Sequence, residues 1–253
     1  MSQQRPIGVV TGASSGIGRA VARKLASNGF DLVLNARRAV ELQLLVEELE
    51  SDETVVLSVV GDAGDPATIG RIVTKVSELE GELEVAVVNA GRGLPGTVLT
   101  SDEAQLQELF HVNTLGALHQ MRAFAIALLA GHECATPKRR DLVVLGSNVG
   151  RNVSPFNTVY GASKFAVHGA SEGLRRELGP RGVRVTLVEP GVVRSNFQET
   201  AGYDPSWFDS YSHDIGPVLD PSDVADLVEF VVTRPPHIHL DSISIRPTRQ
   251  DYP

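Results

Sequence analysis

A tyrosine and a lysine four residues apart, Tyr160 and Lys164, form the first pair whose chemistry follows from spacing. On a helix, residues i and i+4 lie on one face, one turn apart. A free tyrosine has a pKa near ~10, and a nearby ammonium lowers that pKa by ~1–3 units, into the range that acid–base catalysis at neutral pH requires. Ser147, thirteen residues before Tyr160, follows an apolar segment and can reach the same oxygen. The three residues predict proton transfer at a carbonyl.

A second motif, Thr-Gly-Ala-Ser-Ser-Gly-Ile-Gly at residues 11–18, has two interpretations. Its Gly-x-Ser-x-Gly part fits the nucleophile elbow of a hydrolase, with Ser14 as the nucleophile. Gly12, Gly16 and Gly18 also fit a turn at which backbone N–H groups and a helix dipole hold a pyrophosphate. A hydrolase elbow comes well into the chain, whereas this motif follows the first strand, so its position favours dinucleotide binding. Its spacing differs from Gly-x-Gly-x-x-Gly, so this interpretation needs support from elsewhere.

Apolar strands alternate with helical segments along the chain. Strands are predicted at residues 7–10, 31–34, 54–60, 84–88, 141–145, 183–188 and 242–245, and helices at 17–28, 40–50, 66–80, 102 to about 130, 159–178 and 221–233. Strands that are apolar on both faces and separated by helices indicate a parallel sheet covered on both sides. We therefore predict one α/β domain over residues 1–253, a Rossmann-like doubly wound parallel sheet of about seven strands.

The end of the second predicted strand indicates which dinucleotide is bound. An NAD site usually has an acidic residue there, but this chain has Arg37 and Arg38. A guanidinium matches a phosphate in charge and geometry, so the pair favours the 2′-phosphate of NADP(H). The alternative is that both arginines are solvated at a helix start. Asp62, after the third strand, is either an acceptor for the adenine amino group or a turn cap.

Composition narrows the function classes. A formal net charge of -8 argues against nucleic-acid binding, since the basic run at residues 138–140 is short and followed by an acid. The longest apolar run, residues 123–130, is far shorter than the ~20 residues of a membrane span. The single cysteine, Cys134, excludes an internal disulfide and fits a reducing compartment. We expect a cytoplasmic protein with no metal site.

The ordered set of motifs resembles the short-chain dehydrogenase/reductase family. The matching residues are 11–18, Asn-Ala-Gly at 89–91, Asn113 with Gly116, Ser147, Tyr160 with Lys164, and Pro190-Gly191. The resemblance implies that Tyr160 is the acid/base and that Ser147 positions and polarises the substrate oxygen. It also implies that Lys164 tunes the tyrosine and holds the nicotinamide ribose, while Asn113 anchors a water in a proton relay. The cofactor-binding residues it implies are Gly12, Ser14, Ser15, Gly16, Ile17, Gly18, Arg37, Arg38, Asp62, Asn89, Ala90, Gly91, Tyr160, Lys164, Pro190, Gly191 and Val193.

The resemblance implies an NADP(H)-dependent oxidoreductase that moves a hydride between nicotinamide and a carbonyl or alcohol carbon of a small substrate. The chain departs from the family pattern at Val88, where many members have asparagine, and at Ser15, where many NADP users have a basic residue. Cofactor preference therefore rests on Arg37 and Arg38. Three alternatives stay open: a hydrolase using Ser14, an NADP(H)-binding sensor without turnover, and a redox-neutral epimerase or dehydratase on the same scaffold.

Two further expectations concern the substrate and the assembly. Residues 193–218 form either a lid over the nicotinamide or a surface helix docked on the core, and they contain Phe197, Tyr203, Trp207, Phe208 and Tyr211. Arg151 and Arg194 are candidate ligands for a substrate carboxylate or else solvated. The long helices from residues 102 and 159 resemble those that pair subunits in family tetramers, so a homo-oligomer, either a dimer or a tetramer, is expected.

Overall fold

Seven parallel strands form one sheet through the centre of the molecule. The computed structural model describes residues 4–130, 139–152 and 154–251 apart from the side chain of Trp207, so Cys134 and the first residue of the basic run at 138–140 lie outside the described residues. The strands are β1 Ile7–Thr11, β2 Asp31–Ala36, β3 Val56–Val60, β4 Leu83–Val88, β5 Asp141–Leu145, β6 Arg184–Pro190 and β7 Ser242–Ile245. They pair in parallel in the order β3-β2-β1-β4-β5-β6-β7. The predicted fold class is confirmed.

Helices cover both faces of the sheet. They are α1 Gly16–Ser27, α2 Ala39–Leu49, α3 Pro66–Ser77, α4 Glu103–Phe110, α5 Ala117–Ala130, α6 Thr158–Leu178, α7 Phe197–Ala201, α8 Pro205–Ile215 and α9 Pro221–Val232. One apolar core joins the sheet to α1, α2 and α9 through residues such as Leu25, Leu42 and Val228. The other joins the opposite face to α3, α5 and α6, where Ile72 and Phe124 are buried. This arrangement accounts for strands that are apolar on both faces.

The strand order creates the crevice in which a ligand can bind. Strands β1, β2, β5 and β6 are buried along their whole length, and β7 lies at one edge of the sheet with exposed and half-buried residues in alternation. The direction of winding reverses between β1 and β4, which are neighbours in the sheet. In doubly wound sheets, the loops after the strands diverge at such a point and leave a crevice outside the carboxyl ends. The glycine motif follows β1, and Ser147 follows β5.

The helix predicted from residue 102 to about residue 130 is interrupted, which corrects the sequence-based expectation. Between α4 and α5, residues His111–Gly116 form a π-helical segment. Gly116 packs against the loop after β3, where an added β carbon would lie 2.7 Å from the Cα atom of Gly64. Asn113 lies within the wide turn and is 1% exposed. The interruption therefore turns the buried side chain of Asn113 towards the loop after β4. Short π-helical segments of this kind are frequent at functional sites.

The segment predicted as a lid or a docked helix, residues 193–218, contains the two short helices α7 and α8. Each is followed by a glycine with a positive φ, Gly202 at 79° and Gly216 at 80°. Only glycine adopts these angles readily, so both helix ends are conformationally defined by the sequence. Within the described residues, no helix has both the length and the apolar character needed to cross a membrane.

Candidate active site

The turn between β1 and α1 leaves backbone groups open to the crevice. Gly12 and Gly16 have φ values of 66° and 54°, which place both in the left-handed region. Ser15 is the N-cap of α1, but its side chain makes no capping hydrogen bond, so the first N–H groups of the helix are left for another partner. Asn89 Nδ2 donates to the Thr11 carbonyl at 2.9 Å and fixes the turn against the end of β4. The geometry fits a pyrophosphate at a helix N-terminus.

Gly18 packs closely against the glycine turn and the end of β4. A β carbon at Gly18 would collide with the Gly12 carbonyl oxygen and with Asn89 Nδ2. Gly18 is buried and is not among the residues that line the crevice. It allows α1 to approach the turn closely, as the third glycine of a dinucleotide motif does, and its contact with a cofactor stays a prediction.

The hydrolase interpretation of Ser14 does not fit the geometry. Ser14 Oγ accepts hydrogen bonds from Arg38 Nε and from a terminal nitrogen of Arg38, both at 3.3 Å. A nucleophilic serine needs a base at ~2.6–3.2 Å, and an arginine cannot serve as that base because it stays protonated. Ser14 and Arg38 instead form one polar wall of the crevice.

The two arginines after β2 differ in their surroundings. Arg38 lies against Ser14, as described, and is also 3.2 Å from Glu41. Arg37 is more exposed and lies 3.9 Å from Glu108 on α4. Asp62 accepts the Gly64 N–H at 2.8 Å, so it caps the turn after β3 while still lining the crevice. Arg38 is therefore the better placed of the two to hold a phosphate beside the glycine turn.

Three side chains meet where β5 and α6 approach each other. Ser147 follows β5 directly, and Tyr160 and Lys164 lie one turn apart on α6, as the i, i+4 spacing predicts. Ser147 and Tyr160 both line the crevice, and the Ser147 side chain acts to lower the pKa of the Tyr160 hydroxyl. Lys164 Nζ donates to the Leu145 carbonyl at 2.9 Å and lies 6.0 Å from the centre of the Tyr160 ring. A carbonyl oxygen between the two hydroxyls would contact both.

The pKa of Tyr160 is shifted in the direction opposite to the one expected from sequence. Burial raises the pKa of the Tyr160 hydroxyl, Tyr203 adds to that rise, and the Ser147 side chain opposes it. Burial also lowers the pKa of Lys164 to about 8. Desolvation penalises the charged form of both groups, and this outweighs the effect that the lysine was expected to have on the tyrosine. In this structure Tyr160 is therefore protonated at neutral pH.

Asn113 connects the π-helical segment to the loop after β4. Its Oδ1 accepts the Arg92 N–H and its Nδ2 donates to the Arg92 carbonyl, both at 2.8 Å. Nδ2 also donates to Ser163 Oγ on α6 at 3.2 Å. Asn113 does not itself line the crevice. The contacts make it a brace between the π-helical segment, α6 and the loop, and its role in a water relay stays a prediction.

The crevice is one continuous cavity of about 680 Å³ that brings the other predicted residues together. Those that line it are Gly12, Ser14, Ser15, Gly16, Ile17, Arg37, Arg38, Asp62, Asn89, Ala90, Gly91, Ser147, Tyr160, Lys164, Pro190, Gly191 and Val193. Sequence reasoning missed Asn148 and Gln250, which also line it. Gln250 Oε1 accepts the Val192 N–H at 3.0 Å, so the C-terminal segment braces the turn after β6. Gln250 is far along the chain from the other lining residues and reaches the cavity through the fold.

The two helices after β6 supply aromatic side chains to the cavity. The ring of Phe197 is 5.7 Å from that of Tyr160 and 6.5 Å from that of Tyr203. Phe208 and Tyr211 also line the cavity, while the Trp207 side chain lies outside the described part. These rings form an apolar end of the cavity beside the candidate acid/base.

The arginines considered for a substrate carboxylate have other partners. Arg151 donates to the Glu189 carboxylate, with Nε at 2.8 Å, and to Ser242. The Arg194 guanidinium lies 5.8 Å from the centre of the Phe208 ring. Neither arginine lines the cavity, so this hypothesis is not supported.

Comparisons with known proteins agree with this geometry. The family model for short chain dehydrogenases matches residues 7–205. An uncharacterized oxidoreductase of Staphylococcus aureus (strain MW2) is 31% identical over 244 residues, covering 95% of this chain and 96% of the relative. Alcohol dehydrogenase from the archaeon Thermococcus sibiricus, complexed with 5-hydroxy-NADP, superposes with a TM-score of 0.83 at 25% identity, over 98% of this chain and 99% of that one. The corresponding values for 3-oxoacyl-(acyl-carrier protein) reductase from Brucella melitensis, in complex with NAD, are 0.84, 26%, 96% and 96%.

Proposed function

Because the chain belongs to the short chain dehydrogenase family of oxidoreductases, we propose that it transfers a hydride between NADP(H) and a carbonyl or alcohol carbon of a small substrate. The observation that carries the proposal is that Ser147, Tyr160 and Lys164 line the same cavity as the glycine turn. The reacting groups and the dinucleotide cradle therefore share one space. The proposal involves no metal ion.

The residues of the cavity fit a nicotinamide dinucleotide. The uncapped N-terminus of α1 and the left-handed Gly12 and Gly16 suit a pyrophosphate, since no side chain fills the turn. At the other end, Lys164 Nζ lies 3.8 Å from the position of a β carbon at Gly91, so its ammonium group is close to the Asn-Ala-Gly loop. Lys164 would hold the nicotinamide ribose, and the turn at Pro190 and Gly191 would border the ring. When bound, the dinucleotide supplies or accepts the hydride.

The proton is moved by this chain's own residues. In reduction, the Tyr160 hydroxyl gives its proton to the substrate oxygen as the carbonyl carbon gains the hydride, and the product is the alcohol. Ser147 Oγ donates a hydrogen bond to the same oxygen and holds it at the tyrosine. Because burial raises the pKa of Tyr160, its hydroxyl is already in the protonated form that reduction uses.

The preference for NADP(H) over NAD(H) rests on Arg38. Its guanidinium lies against Ser14 in the glycine turn, where the 2′-phosphate of the adenosine ribose would approach. Phosphate binding by such a planar, permanently charged group is strong and geometrically selective. The two similar structures described above hold different dinucleotides, 5-hydroxy-NADP and NAD, and therefore do not indicate a preference. The proposed preference depends on Arg38.

The alternative functions differ in what happens to the cofactor. A sensor would bind NADP(H) without turnover, and an epimerase or dehydratase would keep the dinucleotide with no net oxidation. The sensor is less well supported, because binding without turnover needs no serine–tyrosine pair. An epimerase or dehydratase would use the same pair, so only the fate of the cofactor distinguishes it. The aromatic side chains of α7 and α8 support an aldehyde or ketone with an apolar portion as the substrate. A cytoplasmic location stays a prediction.

The proposed function is tested by the loss of reduced-nicotinamide absorbance with NADPH and NADH in parallel. The substrates are a panel of aldehydes, ketones, keto acids and keto esters. We expect turnover with NADPH, at least ~10-fold weaker turnover with NADH, and a loss of at least ~100-fold in Tyr160→Phe, which lacks only the proton-donating hydroxyl. Binding of NADPH without turnover across the panel would favour the sensor or redox-neutral alternative, and failure to bind either dinucleotide would refute the proposal.

A further inference from the structure

A histidine that the motifs do not include lies directly behind Ser147. Tyr160, Lys164 and His168 are spaced by four residues on α6, so they share one face of the helix. Tyr160 and Lys164 reach the cavity, whereas the ring of His168 passes behind the loop that follows β5. There the backbone N–H of Ser147 donates to His168 Nε2 at 3.3 Å. The histidine therefore contacts the main chain of the residue whose hydroxyl faces Tyr160.

Two glycines make room for this ring. A β carbon at Gly146, before the serine, or at Gly150, at the end of the short 3-10 turn after it, would collide with His168 Nε2. Neither glycine has a positive φ, so backbone conformation does not explain their presence. The loop around Ser147 is shaped to accept the imidazole from one side while presenting the hydroxyl on the other.

The surroundings of His168 keep the ring neutral. Burial lowers the pKa of His168 to about 4, with Lys164 and Arg151 acting in the same direction and Glu189 opposing them. Glu189 is fully buried, accepts the bidentate bond from Arg151, and accepts the Ser242 hydroxyl at 2.6 Å. A neutral ring that accepts at Nε2 carries its proton on Nδ1. In the imidazolium form, Nε2–H would face the Ser147 N–H, donor against donor.

We propose that His168 is a positioning residue, which fixes the backbone of Ser147 so that its hydroxyl meets the substrate oxygen and Tyr160 together. The proposal rests on the proposed reductase function for its effect on rate, but its hydrogen bond exists without substrate. Ser147 is extended, with φ of -172°, and its Oγ accepts a long 3.4 Å bond from the Val149 N–H. The turn therefore holds the Ser147 hydroxyl only weakly. The hydrogen bond from the Ser147 N–H to His168 fixes the backbone on the opposite side of the loop.

A double-mutant cycle separates positioning from a general structural role. His168→Leu keeps an apolar volume but lacks an acceptor, and we expect it to lower kcat about 10-fold while leaving the Kd for NADPH within about 2-fold. In the Ser147→Ala background the same change should have less than about a 2-fold effect, because no hydroxyl is left to position. His168→Gln, whose amide oxygen can accept the bond, should restore kcat to within about 3-fold of the wild type. The matched control is His237→Leu, since His237 is exposed.

Equal losses in both Ser147 backgrounds, or no loss in either, would overturn the proposal. A second measurement does not depend on turnover. Nitrogen-15 NMR of histidine-labelled wild-type protein should show one ring, assigned by its loss in His168→Gln, with an unprotonated Nε2 at pH 7 and a titration well below that of free histidine. A ring protonated at Nε2, or titrating normally, would refute the hydrogen bond. If every substrate fails while this signal is present, the proposed function fails and the positioning contact stands.

Discussion

Burial of Lys164, a residue of the proposed active site, reduces the stability of the folded protein. The pKa of Lys164 falls from 10.5 to about 8 because the ammonium is desolvated. Lys164 therefore loses its proton at a lower pH in the folded protein than in the unfolded chain. The destabilisation caused by burying the ammonium is complete below pH 8 and disappears as the pH rises from 8 to 10.5. A pKa difference of this size corresponds to about 3 kcal/mol of lost folding stability. The hydrogen bond from Lys164 to the Leu145 carbonyl offsets about 1 kcal/mol of that loss.

We therefore expect Lys164→Met to be inactive and yet to raise the free energy of unfolding by about 2 kcal/mol at pH 7, with the gain vanishing by about pH 10. Urea unfolding at both pH values measures this. Lys75→Met is the control, because Lys75 is an exposed lysine paired with Glu78 on the surface, and it should change stability by less than about 1 kcal/mol. A Lys164→Met protein less stable than the wild type at pH 7 would contradict the account.

The two arginines after β2 provide a matched pair for cofactor preference. Because Arg38 lies against Ser14 and Arg37 points towards Glu108, only Arg38 should contact the 2′-phosphate. Arg38→Ser should weaken NADPH binding at least ~10-fold and NADH binding less than ~3-fold, and Arg37→Ser should change both by less than ~3-fold. Fluorescence titration of each variant measures the Kd values. An equal effect of Arg38→Ser on both dinucleotides would remove the basis for the NADP(H) preference.

At the scale of elements, the two helices α7 and α8 set the shape of the substrate end. Phe197 contacts the ring of Tyr160 and stacks near Tyr203, so truncation should enlarge the pocket beside the reacting oxygen. Phe197→Ala should raise KM for an apolar ketone about 10-fold and leave the Kd for NADPH within about 2-fold. Phe230→Ala, at an exposed position on α9, is the control. If the NADPH affinity falls instead, Phe197 supports the cofactor rather than the substrate.

The type and order of most elements could be predicted from the sequence, because the central strands β1, β2, β5 and β6 are buried along their whole length and alternate with helical segments. The π-helical segment could not, since the apolar pattern through His111–Gly116 continues that of the flanking helices. The wide turn depends on packing of Gly116 against Gly64, which are distant in the chain. The contact between His168 and the Ser147 loop was not predicted, because it also joins residues that are distant in the chain. Its only signals in the sequence are the four-residue spacing from Lys164 and the glycines on either side of Ser147. The shift of the Tyr160 pKa depends on burial, which spacing does not report.

At the scale of the whole molecule, exposed apolar side chains cluster on neighbouring helices. Leu118 and Ile126 on α5 are 40% and 59% exposed, and Phe165 on α6 is 43% exposed. We propose that this face joins two copies of the chain, in a dimer or a tetramer. Light scattering should give a multiple of the chain mass, and Leu118→Glu with Ile126→Glu should give the monomer. Val40→Glu, at an exposed position on α2, should not alter the mass, and a monomeric wild type would refute the assembly.

The central claim is that the molecule brings a hydride donor and the Tyr160 proton to one carbonyl. The most direct test uses NADPH carrying deuterium at the transferred position of nicotinamide C4, with a ketone or aldehyde that the protein reduces, and mass spectrometry of the alcohol. We predict one deuterium on the carbinol carbon for each NADPH consumed, and almost no alcohol with Tyr160→Phe. Alcohol without deuterium, or undiminished labelled alcohol with Tyr160→Phe, would contradict the proposed chemistry.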